Sequence, residues 1–146
     1  MTRWLDEDEQ RAWRALLSMV ATLQTGLDAQ LQADAAMPHA YYELLVRLSE
    51  APERSLRMSA LAEASRSSRS RLSHAVGQLE QRGWVRRETC ASDRRGQVAV
   101  LTDAGFAALK QAAPGHVAAV RELLLDRLTA AQVHQLRTIA AAVTRS

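Results

Sequence analysis

A single cysteine, Cys90, stands among the 146 residues, which excludes an internal disulfide framework. Proline is nearly as sparse: Pro38, Pro52 and Pro114 leave long stretches in which nothing forces a helix to stop. Lysine occurs once, as Lys110, so 18 of the 19 basic residues are arginine. No apolar run approaches the ~20 residues that span a bilayer. The opening segment MTRWLDEDEQ is polar and acidic, unlike a secretory leader, so a cytoplasmic location without membrane contact is expected. The usual signatures of catalysis are missing as well: no Ser-His-Asp set, no paired carboxylates, no glycine-rich phosphate loop. His39, His74, His116 and His134 stand at no metal-ligand spacing from one another or from Cys90. Neither an enzyme, a metal site nor a cofactor is expected from these patterns.

What is present is ordinary in amount and uneven in placement. Hydrophobic residues make up 47% and charged residues 24%, the composition of a folded domain or of two small lobes. The net charge is only +3, yet residues 54–95 hold ten arginines against Glu63, Glu80, Glu88 and Asp93. A basic middle between acidic flanks is the electrostatic footprint expected for a polyanion. A solvated charged face is the alternative.

From Glu7 to about Ala33, the residues Trp13, Leu16, Leu17, Val20, Leu23, Leu27 and Leu31 recur at helical spacing, which predicts a long amphipathic helix. Met37-Pro38 breaks it. A second helix over roughly 39–49 carries Tyr42, Leu45, Val46 and Leu48 and ends at Pro52. In LRMSALAEAS, Leu56 and Met58 read as a short extended entry, Ser59 as an N-cap and Leu61-Ala62 as the buried side of a short helix. Within SRSSRSRLSHAVGQLEQRGW (65–84), Leu72, Ala75, Val76 and Leu79 form one apolar stripe, and Gly83 is a natural terminator. WVRRETC and QVAVLT are β-prone and flank the polar tip ASDRRG, which predicts a hairpin. Thr102 can cap the next helix, which Pro114 is expected to kink or split. TAAQ at 129–132 is a capping box opening a last helix with Val133, Leu136, Ile139, Ala140 and Val143 on one side.

The expected fold is therefore mainly α with a small β-hairpin wing (α+β). A winged helix-turn-helix lobe is expected at 55–102, with N-terminal helices in 1–54 for dimerisation and the start of that lobe, and C-terminal dimerisation helices in 103–146. The outer helices carry more apolar stripe than that lobe can cover, so a partner chain is expected to bury it.

The first turns of the 65–84 helix hold Ser67, Ser68, Arg69, Ser70 and Arg71. Arginine near a helix N-terminus opposes the helix dipole, so these cations serve something other than the helix. A phosphate backbone supplies the reason, because free N–H groups, the dipole and arginine all attract it. With Leu72 pointing inward, Ser70, His74, Gly77, Gln78 and Gln81 point outward, with Arg71 and Ser73 at the flanks. That face is small and hydrogen-bonding, suited to base edges, and arginine can hold a guanine edge through two bonds. Gly77 would allow close backbone approach. Arg94 and Arg95 at the hairpin tip can enter a neighbouring minor groove, Asp93 can brace one of them, and Arg86 and Arg87 can meet phosphates. The candidate double-stranded-DNA contacts are thus Ser68, Arg69, Ser70, Arg71, Ser73, His74, Gln78, Arg86, Arg94 and Arg95. The alternatives are an ordinary exposed Ser/Arg helix, or a dimeric protein-interaction module that docks an acidic partner on its basic lobe.

The run MSALAEAS…SRSRLSHAVGQLEQRGWVRRE…SDRRGQVAVLTDAG resembles the winged helix-turn-helix of the MarR family of bacterial transcriptional regulators. The likeness covers roughly 56–105, and the flanking helices are similar in order and length to that family's dimerisation region. It implies a homodimeric repressor on a pseudo-palindromic operator, released by a small-molecule effector. Residues 68–82 would be the recognition helix and 84–101 the wing, with Asp93 orienting Arg95 into the minor groove. The family's aromatic or phenolic effectors imply a pocket near Trp13, His39, Tyr41 and Tyr42. Two departures stand out: Ser65-Arg66-Ser67 replaces an apolar-Gly-apolar turn, and His74 stands where a basic residue is common. Relatives that sense oxidants typically do so through a first-helix cysteine, which this chain lacks, so Cys90 reads as a small strand residue.

Overall fold

Asp6 starts the longest helix. Its carboxylate accepts the Glu9 backbone N–H at 2.8 Å while the Glu9 side chain accepts the Asp6 N–H at 3.0 Å, a reciprocal cap. Helix α1 then runs Glu7–Ala35 and ends at Ala36 in the left-handed region. The structure, a computed structural model, describes residues 1–90 and 92–144, and of 93–95 the backbone alone. After Pro38 come α2 (His39–Glu50), β1 (Ser55–Arg57), α3 (Met58–Ala64) and α4 (Arg69–Gln81). The wing strands β2 (Val85–Cys90) and β3 (Asp93–Leu101) lead into α5 (Asp103–Leu123) and α6 (Ala130–Val143). No helix among the described residues is long and apolar enough to cross a membrane.

The mainly helical winged fold expected from the sequence is the fold observed, with one addition. The extended entry at 55–57 is a true strand: β1 pairs antiparallel with β3, Leu56 opposite Ala99, making a three-stranded sheet in the order β1-β3-β2. That pairing shifts the start of α3. The ladder holds Arg57 opposite Val98, so Arg57 is the cap residue and Ser59 lies inside the helix, contrary to the N-cap expected at Ser59. The chain also runs through Pro114 as one helix, so the split considered there does not occur.

The core gathers the inward stripes of every element of the winged lobe. Leu44, Leu45 and Leu48 of α2 meet Leu61 and Ala62 of α3, then Leu72, Val76 and Leu79 of α4. Val85, Ala99 and Leu101 of the sheet and Leu109 and Ala112 of α5 close it. From the whole of α1 only Leu31 is buried, and α6 buries nothing. Trp13, Leu16, Leu17 and Val20 on α1 and Val133, Ile139 and Val143 on α6 are exposed.

Two hinges of the lobe are set by local chemistry. Gly83 takes φ +75° after α4, and the Trp84 and Gly83 N–H groups close back on the Leu79 and Glu80 carbonyls. Thr102 accepts the Gly105 N–H at 3.0 Å and donates to the Gly83 carbonyl at 2.6 Å, tying the wing's exit to its entrance. Gly105 is required there, because a Cβ would overlap the Trp84 carbonyl oxygen.

Candidate nucleic-acid interface

Helix α3 ends in the turn that aims α4. Arg66, at φ +52°, takes the left-handed conformation, while its N–H and that of Ser67 bond the Glu63 and Ala62 carbonyls. The residue that replaces glycine in this turn therefore adopts a glycine-like backbone, at roughly 1 kcal/mol. Ser68 follows as the N-cap of α4, its hydroxyl oxygen accepting the Arg71 N–H at 3.1 Å. Its hydroxyl hydrogen remains available to an acceptor outside the protein.

Ser68, Arg69, Ser70, Arg71 and His74 are all exposed along one side of α4, with Ser73 and Gln78 half-buried beside them. The first turn of α4 holds no acidic residue. Beside this face lies a cleft of about 510 Å³ between α4 and the wing, lined among others by Arg57, Ser59, Arg69, Arg87, Thr89 and Gln97. No pattern in the sequence singles out Arg57. Its guanidinium reaches from β1 to Ser92 at the wing turn, 3.0 Å away, a placement that follows only from the β1–β3 pairing.

The arginines of the wing divide into distinct roles. Arg87 is a bracket within the lobe. It donates to Glu80 at 2.8 Å, to the Ser73 hydroxyl at 3.0 Å and to the Ser73 carbonyl at 2.7 Å, fastening β2 to the middle of α4. A Cβ at Gly77 would stand 3.4 Å from the Arg87 guanidinium, an ordinary contact. Arg86 is exposed and paired with Glu88 at 2.7 Å. The side chains of Asp93, Arg94 and Arg95 lie outside the described residues, and with them the expected Asp93 brace. The difference between Arg86 and Arg87 is measurable. Arg87→Ala is expected to lower unfolding stability by about 1–3 kcal/mol, since it removes bonds to a charged group at a half-buried site. Arg86→Ala, which breaks an exposed pair, should change it by less than about 0.5 kcal/mol. Urea-unfolding midpoints would separate the two.

The four residues expected around an effector pocket are not brought together within one chain. His39 and Tyr42 converge with His116: the His39 and His116 rings stack at 5.4 Å, and Tyr42 tilts against His116 at 4.3 Å. The His39 N–H is held by Asp28 at 2.9 Å. Trp13 lies fifteen residues before Asp28 on α1, about 22 Å away at the helical rise. It borders a separate surface hollow with Trp4, Leu5 and Leu17. Tyr41 faces Arg82 instead. Around His39 the charge states are biased by the packing. Burial holds His116 below the ordinary imidazole range, reinforced by the charge of His39 and opposed by Glu43. The hydrogen bond from His39 pulls the Glu43 carboxyl below its usual range, against the effect of burial. Burial, then the Glu43 charge, raises Tyr42.

A short α3, a tight turn, an α4 with one exposed face and a wing that supplies two strands of the three-stranded sheet define a winged helix-turn-helix protein. The sequence pattern of the MarR family matches residues 37–96. Sco3205, a MarR family transcriptional regulator from Streptomyces coelicolor solved in complex with DNA, shares 51% identity at a TM-score of 0.92, covering 100% of this chain and 94% of that one. AbsC, another MarR family transcriptional regulator from the same organism, shares 42% identity at a TM-score of 0.91, covering 97% and 95%. A mutant MarR from E. coli, solved with operator DNA, is similar in fold at 21% identity and a TM-score of 0.83, covering 96% and 99%. No curated protein sequence matches the chain. The chain belongs to the MarR family of transcriptional regulators.

Proposed function

We propose that this regulator binds double-stranded DNA as a homodimer on a pseudo-palindromic operator, acts as a repressor in the cytoplasm, and is released by a small-molecule effector. The observation that carries the reading is the outer face of α4. Two arginines and three hydroxyl or imidazole groups stand exposed over its first turns, with no acid among them. The helix gains nothing from cations at that end, whereas a phosphate backbone does. In this reading Arg69 and Ser68 hold phosphates. Ser70, Arg71, His74 and Gln78 read base edges in the major groove, with Ser73 at their flank. The wing carries Arg94 and Arg95 to the neighbouring minor groove, and Arg86 can exchange Glu88 for a phosphate.

Residues 55–102 form the DNA-reading lobe, 1–54 supply dimer contacts and the start of that lobe, and 103–146 supply the C-terminal dimerisation helices. The exposed apolar stripes of α1 and α6 support that division, since monomers seldom leave such patches open to water. An effector would act by favouring a dimer whose two α4 helices stand at the wrong spacing, lowering DNA affinity through linkage.

Selection of bound fragments from random duplex DNA tests the reading directly. The expected product is an inverted repeat whose half-sites lie about one helical turn, ~34–36 Å, apart. Affinity for it should fall about 1,000-fold between 50 and 200 mM salt by counterion release. Failure to enrich any symmetric sequence would overturn the operator reading. Strong binding to acidic proteins with no duplex preference would replace it with a protein-docking role.

A further inference from the structure

Away from α4 and the wing, the fold assembles a second group of chemistry-bearing side chains. His39 opens α2, Glu43 lies one turn further on, and His116 comes from α5 just past Pro114 and Gly115. One ring nitrogen from each histidine and one carboxylate oxygen of Glu43 all lie within 4.8 Å of one another. The His39 Nε2 to Glu43 Oε1 distance is 3.4 Å. Two donors on a tetrahedral zinc ion, with bonds near 2.0–2.1 Å, stand ~3.3 Å apart, so this pair already sits at a ligand–ligand edge. His116 supplies an independent sign. It is more than nine-tenths buried, and among the described residues its Nδ1 has no hydrogen-bond partner. A buried imidazole nitrogen left without a partner is costly unless something outside the protein binds it.

We propose that His39, Glu43 and His116 form a binding site for a zinc-class divalent cation. Two imidazoles and one carboxylate are a borderline donor set. They suit Zn²⁺ and its neighbours in the transition series, and not Mg²⁺ or Ca²⁺, which demand mostly oxygen. Three protein donors leave a fourth position for water or a small anion, the form of an open zinc site. The ion would clamp α2, which belongs to the winged lobe's core, to α5, which leads to the C-terminal arm. Asp28 fixes the His39 backbone, and Tyr42 packs against the His116 ring. The histidines are far apart in the chain, which is why spacing along the sequence revealed no ligand pattern.

The test needs no DNA, so its outcome is independent of the operator reading. The untagged 146-residue chain, stripped with chelator, is titrated calorimetrically with zinc chloride. One saturable equivalent per chain is expected, with excess Mg²⁺ failing to compete. His39→Gln and Glu43→Gln should each weaken binding at least ~10-fold. His134→Gln, at an exposed histidine on α6, should leave it unchanged. The circular dichroism of the metal-free variants should match the parent. A second readout needs no variant: in imidazole nitrogen NMR of the parent, Zn²⁺ should shift the His39 and His116 signals and spare His134. The absence of saturable binding, affinity in the His39 and Glu43 variants equal to the parent's, or shifts at His134 in place of His39 and His116 would each overturn the site.

Discussion

Reversing both arginines at the head of α4, Arg69→Glu with Arg71→Glu, is expected to lower DNA affinity at least ~100-fold at moderate salt while leaving the fold as stable or more so. The two effects have opposite signs for one reason. Both side chains are exposed in the first turn of a helix capped by Ser68, where the dipole presents positive charge. Acidic residues there favour the helix by about 0.3–1 kcal/mol each. The same acids would repel the phosphates that the N–H groups and arginines attract. Fluorescence anisotropy with an operator duplex and a thermal melt of the same sample measure both quantities. Normal binding by this variant would remove α4 from the interface, and a large loss of stability would mean that the arginines serve the fold. Arg71→Ala alone refines the assignment. A loss greater on operator than on random duplex marks a base contact, and equal losses mark a phosphate contact.

Leu17→Asp with Val20→Asp should break the proposed homodimer into monomers in sedimentation and reduce operator affinity at least ~100-fold, although both lie on α1, away from the α4 face. Both lie exposed on the stripe of α1 that the chain itself leaves uncovered, 49% and 39% accessible. Charges placed in a dimer core would be desolvated without partners, a cost no dimer of ordinary affinity can absorb. A single lobe then holds a single half-site, and the gain from tethering a second one is lost. The winged lobe should stay folded, since its core of Leu45, Leu48, Leu61, Leu72, Val76 and Leu79 draws nothing from these positions. A variant that remains dimeric would place the dimer contact elsewhere.

Much of the fold was legible because its signals are local. The capping box at Thr129–Gln132 marks the start of α6, and Gly83 marks the end of α4. The stripe Leu72, Val76, Leu79 sets which way α4 faces, and hence which of its residues are exposed. The features that were not legible depend on long-range partners. Ser59 has the chemistry of a cap, but β1 pairs with β3 and moves the helix start to Met58. Arg87 reads as one more cation on a basic strand until Glu80 and Ser73 are found across from it. Trp13 and His39 both have the chemistry of a pocket lining, and the length of α1 separates them.

The sequence by itself determined the order of the helices and the hairpin, the orientation of α4 and the concentration of arginine on the middle of the chain. Each of these depends on neighbours within a turn or two, or on charge counted without regard to position. Only the tertiary structure decided that Arg87 braces the wing, that Arg57 joins the cleft, and that His39 and Glu43 meet His116. Periodicity states which side of an element seeks a partner, and it carries no record of which distant side chain arrives there.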